Sequence, residues 1–321
     1  MTLAAEPTTT WDLRHLRKHL QGLVDLEMWT IPYYMAAMYS VVDPAHRAFR
    51  LVEAVLREEM LHLQLACNIA NAYGHKPRFR PPKYRGKKIP HLDFSLNHPD
   101  PTELYSPYSA EIGPLDEKRI NTMCLVEYPD WKSSSLMAPY AELEKYRSIA
   151  EFYHVTSFGM CELVSELRGG INQVDEFGAF YQWFGEQRIT EDGPGGLAQA
   201  LEFVNLIVDQ GEGESDGDSE VAWEHRNTAD GYAEAWSHFR RFEDLRYDLA
   251  DLPEVYSAVP EPLNEDGQEA QRILVQDFRR LLEILGDLFA GRPADDFGSC
   301  MAEVGGDVLA CWRHGAVPRF S

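Results

Sequence analysis

Two stretches near the N-terminus carry apolar residues at alternating steps of three and four, the period of a helix with one buried face. Over residues 11–40 the inward seam reads Leu16, Leu20, Leu23, Glu27, Ile31, Tyr34, Met38. Over 45–73 it reads Val52, Val55, Glu59, His62, Ala66, Ile69, Tyr73. Thr10 is placed to cap the first helix, Pro32 inside it predicts a kink or a relaxed turn, and Gly74 marks the end of the second. Periodicity lapses over 75–138, where prolines crowd, and only "INTMCLVEY" reads as a short helix or strand. Helical spacing returns over about 139–168, stopping at Gly169–Gly170, then in a shorter piece over 195–211 and again over 228–247. An acidic, glycine-rich loop, "EGESDGDSE", follows the shorter piece, and two further helices, within 266–290 and 295–312, close the chain. Strand signals are nearly absent. The predicted class is all-α: a four-helix bundle with core helices 11–40, 45–73, 139–168 and 228–247. A proline-rich insertion (75–138) and C-terminal helices (266–312) complete a single domain spanning 1–321.

Both seams contain ionisable residues where apolar ones belong: Glu27 midway along the first, Glu59 and His62 midway along the second. A buried carboxylate without a partner costs several kcal/mol or more, and neither seam offers Lys or Arg nearby. A metal ion is the economical partner. A Glu on one helix and Glu-x-x-His on the next is half of a di-metal carboxylate site. The i, i+3 spacing puts Glu59 and His62 on one face, so both reach the same ions. Carboxylates that bridge and imidazoles that cap suit iron or manganese.

The other half should come from the later core helices. Glu151 in "SIAEFYHVTSFG" is the carboxylate of the third helix, and His154, three residues on, is an alternative ligand or a core or substrate-facing histidine. His238 in "AWSHFRRF" is the imidazole of the fourth helix, with Glu234 one turn back and Glu212 in "VDQGEGE" as competing carboxylates. Arg241 and Glu243 read as partners behind the ligands or as a surface pair. Tyr34, Tyr153 and Trp236 are candidates for a substrate pocket.

Composition narrows the function classes. With 44% hydrophobic and 12% aromatic residues the 321-residue chain can bury a sizeable core. A net charge of −22, from 52 acids and 30 bases, argues against nucleic-acid or anionic-membrane partners. Five scattered cysteines without a CxxC pair make disulfides and thiolate zinc sites unexpected, which fits a cytoplasmic protein. No signal peptide and no run of about 18 apolar residues is evident. The basic run Lys76, Arg78, Arg80, Lys83, Arg85 reads as a solvated loop, the alternative being a grip on a substrate carboxylate.

Five fragments in order carry a resemblance: "EEMLHLQLACNIANAYGHKPRF", "LVEYPD", "SIAEFY", "IVDQGEGE" and "SHFRRFEDL". Together they resemble the ferritin-like domain of iminophenylpyruvate and indolepyruvate-imine dimer synthases, enzymes of violacein and chromopyrrolate biosynthesis, over roughly residues 11–310. The resemblance implies a ferritin-like bundle and supports Glu27, Glu59, His62, Glu151, Glu212 and His238 as the inward set, favouring Glu212 over Glu234. The expected function is a di-iron, O2-dependent oxidase or oxygenase acting on an amino-acid-derived small molecule. Two irons (or manganese), O2 and an external electron donor would take part, and a homodimer is the expected assembly. Oxidative coupling of imines and a non-catalytic metal-binding role are the alternatives.

Overall fold

The computed structural model describes residues 11–129, 144–176, 185–213, 220–226, 233–262 and 264–321. Eight α-helices are present among them: α1 (Leu13–Tyr39), α2 (Arg47–Ala72), α3 (Glu117–Val126), α4 (Ile149–Glu162), α5 (Gly193–Glu212), α6 (His238–Tyr247), α7 (Glu265–Leu288) and α8 (Phe297–Arg313). β-Structure among the described residues is confined to isolated bridges such as Val41 with Val255.

Local chemistry explains the boundaries. Thr10 lies outside the described residues, and Asp12 caps α1 by accepting from the His15 N–H at 2.8 Å. The helix runs on through Pro32 to Tyr39. At the end of α2, Gly74 takes φ +65°, its N–H reaches the Asn71 carbonyl and the His75 N–H reaches that of Ala70. This is a Schellman stop, which needs a left-handed residue where the glycine stands.

The bundle closes as α1 on α2 and α4, with α5 on α4 and α2. The fourth core helix is therefore α5, not the predicted 228–247 segment. Of that segment, 228–232 lie outside the described residues and α6 begins only at His238, capped by Ser237. It packs on α2, α3 and α5. The predicted 139–168 helix is also shorter: 139–143 lie outside the described residues, and α4 starts at Ile149 behind the Ser148 cap. Most of the acidic loop lies outside them too. The first seven residues of "INTMCLVEY" are helical, the C-terminal part of α3.

Proline-rich residues 75–90 are fastened to α1 by side chains reaching their backbone. Gln21 brackets Arg78, donating to its carbonyl at 2.9 Å and accepting from its N–H at 3.1 Å. Trp29 donates to the Lys83 carbonyl at 3.3 Å, and the Tyr84 hydroxyl to the Trp29 carbonyl at 2.8 Å. The α7–α8 pair packs on α1 through α8, where the Trp312 indole donates to the Ala36 carbonyl at 2.9 Å. No described helix is long and apolar enough to cross a membrane.

Candidate metal centre

The two N-terminal seams meet where they were expected to. His62 Nδ1 lies 3.5 Å from Glu59 Oε1 and 4.0 Å from Glu27 Oε2, between α1 and α2. The first residue of α6 completes the group from the other side, with His238 Nδ1 2.9 Å from the same Glu59 oxygen. The two imidazoles stack at 5.2 Å with Glu59 Oε1 between their Nδ1 atoms. Atoms of Glu59, His62 and His238 all lie within 4.8 Å of one another, a spacing that can hold a metal ion.

Two more carboxylates come from helix ends. Glu127, the C-cap of α3, puts Oε2 3.7 Å from His238 Nδ1. Glu212, the last residue of α5, accepts from the Ala150 N–H at 2.8 Å, and the helix stops there because Gly213 turns to φ +86°. Glu27, Glu59, His62, Glu127 and Glu212 line one cavity of about 10 Å³, the space of a single water-sized sphere. None of these residues or His238 is more than 2% exposed, so bulk water cannot solvate their charge.

Each donor is held from behind. The Tyr153 hydroxyl donates to Glu27 Oε1 at 2.6 Å, Thr30 to Glu59 Oε2 at 2.5 Å and Tyr34 to Glu127 Oε1 at 2.5 Å. Each bond takes one carboxylate oxygen and leaves the other turned to the histidines. The imidazoles are fixed in the same way. Gln210 donates its amide to the His225 carbonyl at 2.7 Å, so its oxygen faces His62 Nε2 at 2.9 Å and that nitrogen must carry the hydrogen. Behind His238, Glu58 Oε2 accepts from Nε2 at 2.8 Å and is itself gripped by Arg241 at 2.8 and 3.2 Å. Both rings thereby present Nδ1 to the centre, and carboxylate–imidazole pairs of this kind orient metal-binding histidines.

The buried acids crowd one another. Among the described residues the ion-pair partners of Glu27, Glu59 and Glu127 are histidines alone. Burial pushes the Glu27 carboxyl well up, and the charge of Glu59 adds to it; Glu127 shifts the same way for the same two reasons. Burial acts on Glu59 too, but the adjacent imidazoles of His238 and His62 outweigh it and hold that carboxyl below its ordinary range. His238 is held well above its usual value by Glu127, Glu58 and Glu59, against the effect of burial. Its Nδ1 is buried without a properly formed hydrogen bond despite its proximity to Glu59. A site with four carboxylates, two imidazoles and an orphaned ring nitrogen fits hard or borderline divalent ions such as iron or manganese.

Five of the six ligands expected from sequence come together here: Glu27, Glu59, His62, Glu212 and His238. Glu151 does not. Ser148 caps α4 by accepting from the Glu151 N–H at 3.1 Å, while Glu151 accepts from the Arg147 N–H at 2.6 Å and its guanidinium at 3.0 Å. Ser148 makes its half of a Ser-x-x-Glu cap, and Arg147, one residue before it, takes up the Glu151 carboxylate. Glu127 takes its place in the group, and its fragment, "LVEYPD", was the available signal. His154, Glu234 and Trp236 are half-buried and do not line the cavity; Trp236 lies against Arg240 instead. Tyr34 and Tyr153 are wholly buried against the Glu127 and Glu27 carboxylates. Glu58 and Gln210, which hold the imidazoles, had no sequence signal of their own.

No curated protein sequence matches the chain. A solved ferritin-like protein from Caulobacter vibrioides is 43% identical over 98% of this chain and 100% of its own, with a TM-score of 0.87. The ferritin-like family model matches residues 20–247, and on this ground the chain belongs to the ferritin-like family.

Proposed function

We propose that this protein is a non-haem di-iron, O2-dependent oxidoreductase acting on an amino-acid-derived small molecule, the substrate class the sequence resemblance implies. The observation that carries the reading is the common design of the donors. Glu27, Glu59, Glu127, His62 and His238 each have one polar atom fixed by an outer partner and another facing the same centre. Glu212 lines the same cavity. Two ferrous ions bound there would supply the electrons and Lewis acidity for O2 reduction.

The chain's own residues do the rest. Glu59 would hold metal through Oε1, which lies 3.5 and 2.9 Å from the two Nδ1 atoms, and His62 and His238 would hold it through those nitrogens. Tyr34, Tyr153 and Thr30 keep the carboxylates from swinging. Burial, with the neighbouring carboxylates, pushes the Tyr34 and Tyr153 hydroxyls well up, so they stay protonated as donors. Ile149, Ala150, Ile207 and Val208 form an apolar wall on the cavity.

An oxygen electrode tests the reading. Protein loaded with Fe(II) should consume O2, and His62→Gln with unchanged helical circular dichroism should not. Equal consumption by the two would sink the proposal, and iron bound without any O2 uptake would leave a non-catalytic metal-binding protein.

A further inference from the structure

A cavity of about 690 Å³ lies on the opposite side of α1 from the metal centre, between that helix, residues 78–91 and the start of α4. Lys18, Asp25 and Trp29 of α1 reach it at spacings of seven and four, on one helical face. Glu27 points the other way, across a helix about 10 Å thick. The volume is that of a small-molecule site, not of a packing defect.

Its charge runs against the rest of the protein. In a chain of net charge −22, the lining holds seven cationic side chains and two acidic ones. One of those acids, Glu144, is already paired with Lys18. Arg78, Arg80, Lys83, Arg85 and Lys88 come from one loop and make no ion pair among the described residues. The loop's backbone, as described above, is fastened to α1 by Gln21, Trp29 and Tyr84. Its cations are thus held around a shared space, where Asp25, facing Arg80 and Arg78, is the one lining acid that opposes them without an ion-pair partner of its own among the described residues. A cleft lined by one sign of charge focuses potential and raises the local concentration of the opposite ion.

The floor is apolar and rigid. Trp29 is stacked on Tyr33 at 4.8 Å, and Phe152 on Tyr146 at 4.0 Å, and Phe79 adds a further ring to the lining. His19 is also in the lining, 3% exposed, with Nδ1 on the His15 carbonyl at 2.9 Å and Nε2 without a partner among the described residues. Burial lowers the pKa of both His19 and His91, so the positive charge belongs to the arginines and lysines.

We propose that this cavity binds a small aromatic anion, a carboxylate on a flat apolar body, at a site separate from the metal centre. The apolar floor, where half-buried Phe79 is the accessible ring, packs against the body, and the loop cations hold the carboxylate at the mouth. The proposal does not depend on metal being bound. Isothermal titration of the metal-free protein tests it with three probes: 2-naphthoate, its neutral isostere 2-naphthamide, and inorganic phosphate. One naphthoate should bind per chain, at least tenfold more tightly than the other two, and weaken as salt is raised. Arg80→Glu with Lys83→Glu changes only exposed side chains and should weaken naphthoate at least tenfold while leaving the amide unchanged. The proposal is overturned if naphthoate does not bind, if the amide or phosphate binds as tightly, or if the double charge reversal leaves the naphthoate affinity intact.

Discussion

Replacing Arg241 with Met should destabilise the protein far more than an ordinary arginine substitution. Arg241 is 1% exposed and makes two hydrogen bonds, at 2.8 and 3.2 Å, to Glu58, which is 2% exposed. At a charge separation of about 4 Å and an effective dielectric of about 20, the attraction is roughly 4 kcal/mol. Both groups were desolvated on folding, so the intact pair adds little net stability. Removing Arg241 leaves the buried Glu58 with His238 as its one remaining partner, so the loss should fall at the low end of the range for a broken buried pair, about 3 kcal/mol. Methionine fills much of the vacated volume, so a cavity contributes little. Urea unfolding at pH 7 should show that loss with an unchanged m-value. Adding Glu58→Gln should restore at least half of it, because the glutamine oxygen can still accept from His238 Nε2. The pH dependence follows from Glu58, whose carboxyl Arg241 and His238 hold below its ordinary range against burial. That stabilisation is present above the unfolded value of about 4.3 and is lost as pH falls through the folded one, so the gap between wild type and variant should narrow in acid. Iron affinity should fall about 10–100-fold, since His238 loses its fixed backing. A loss under about 1 kcal/mol, or a double variant no better than the single, would refute this account of the buried pair.

Two further predictions separate ligands from structural acids. Glu151→Gln removes the charge opposite Arg147 and should cost about 2 kcal/mol in urea unfolding, yet leave bound iron, measured by mass spectrometry, as in wild type. Loss of iron from a folded Glu151→Gln protein would return that residue to the ligand set. On the C-terminal pair of helices, burial, with Asp277 beside it, pushes the Asp307 carboxyl up to about 6. The folded state therefore holds this proton more tightly than the unfolded chain, and stability is lost as pH rises between about 4 and about 6. Asp307→Asn should raise stability at pH 8 by on the order of 1 kcal/mol, allowing for solvent screening at this partly exposed position, and give no gain at pH 3.5; equal gains at both would contradict the assignment.

The all-α class was legible because long periodic seams leave little alternative. Glu27, Glu59 and His62 were legible for a related reason: they interrupt those seams in mid-helix, where an ionisable side chain has no apolar excuse. The remaining donors sit at helix ends, where polar residues are ordinary and periodicity is silent. Glu127 caps a ten-residue helix inside a proline-rich region. His238 opens another helix, and Glu212 closes a third that looked like an accessory piece but is the fourth wall of the bundle. Glu151 misled because a mid-segment acid and a capping acid look alike until the helix start is placed; once Ser148 is seen as the cap, the acid three residues on has a structural task. Glu58 and Gln210 lie 180 and 148 residues from the imidazoles they hold, and no local pattern joins them.

The most direct measurement is an anaerobic Fe(II) titration of the metal-free protein, by calorimetry in two buffers of different ionisation enthalpy. Two irons per chain should bind with release of protons, because metal must displace the hydrogen on His238 Nδ1 and any shared by Glu27 and Glu127. Glu127→Ala should lower that number or weaken binding at least tenfold. No binding, or binding without proton release and indifferent to Glu127, would mean that these buried acids are balanced by protons and protein partners alone, and the metal centre would be refuted.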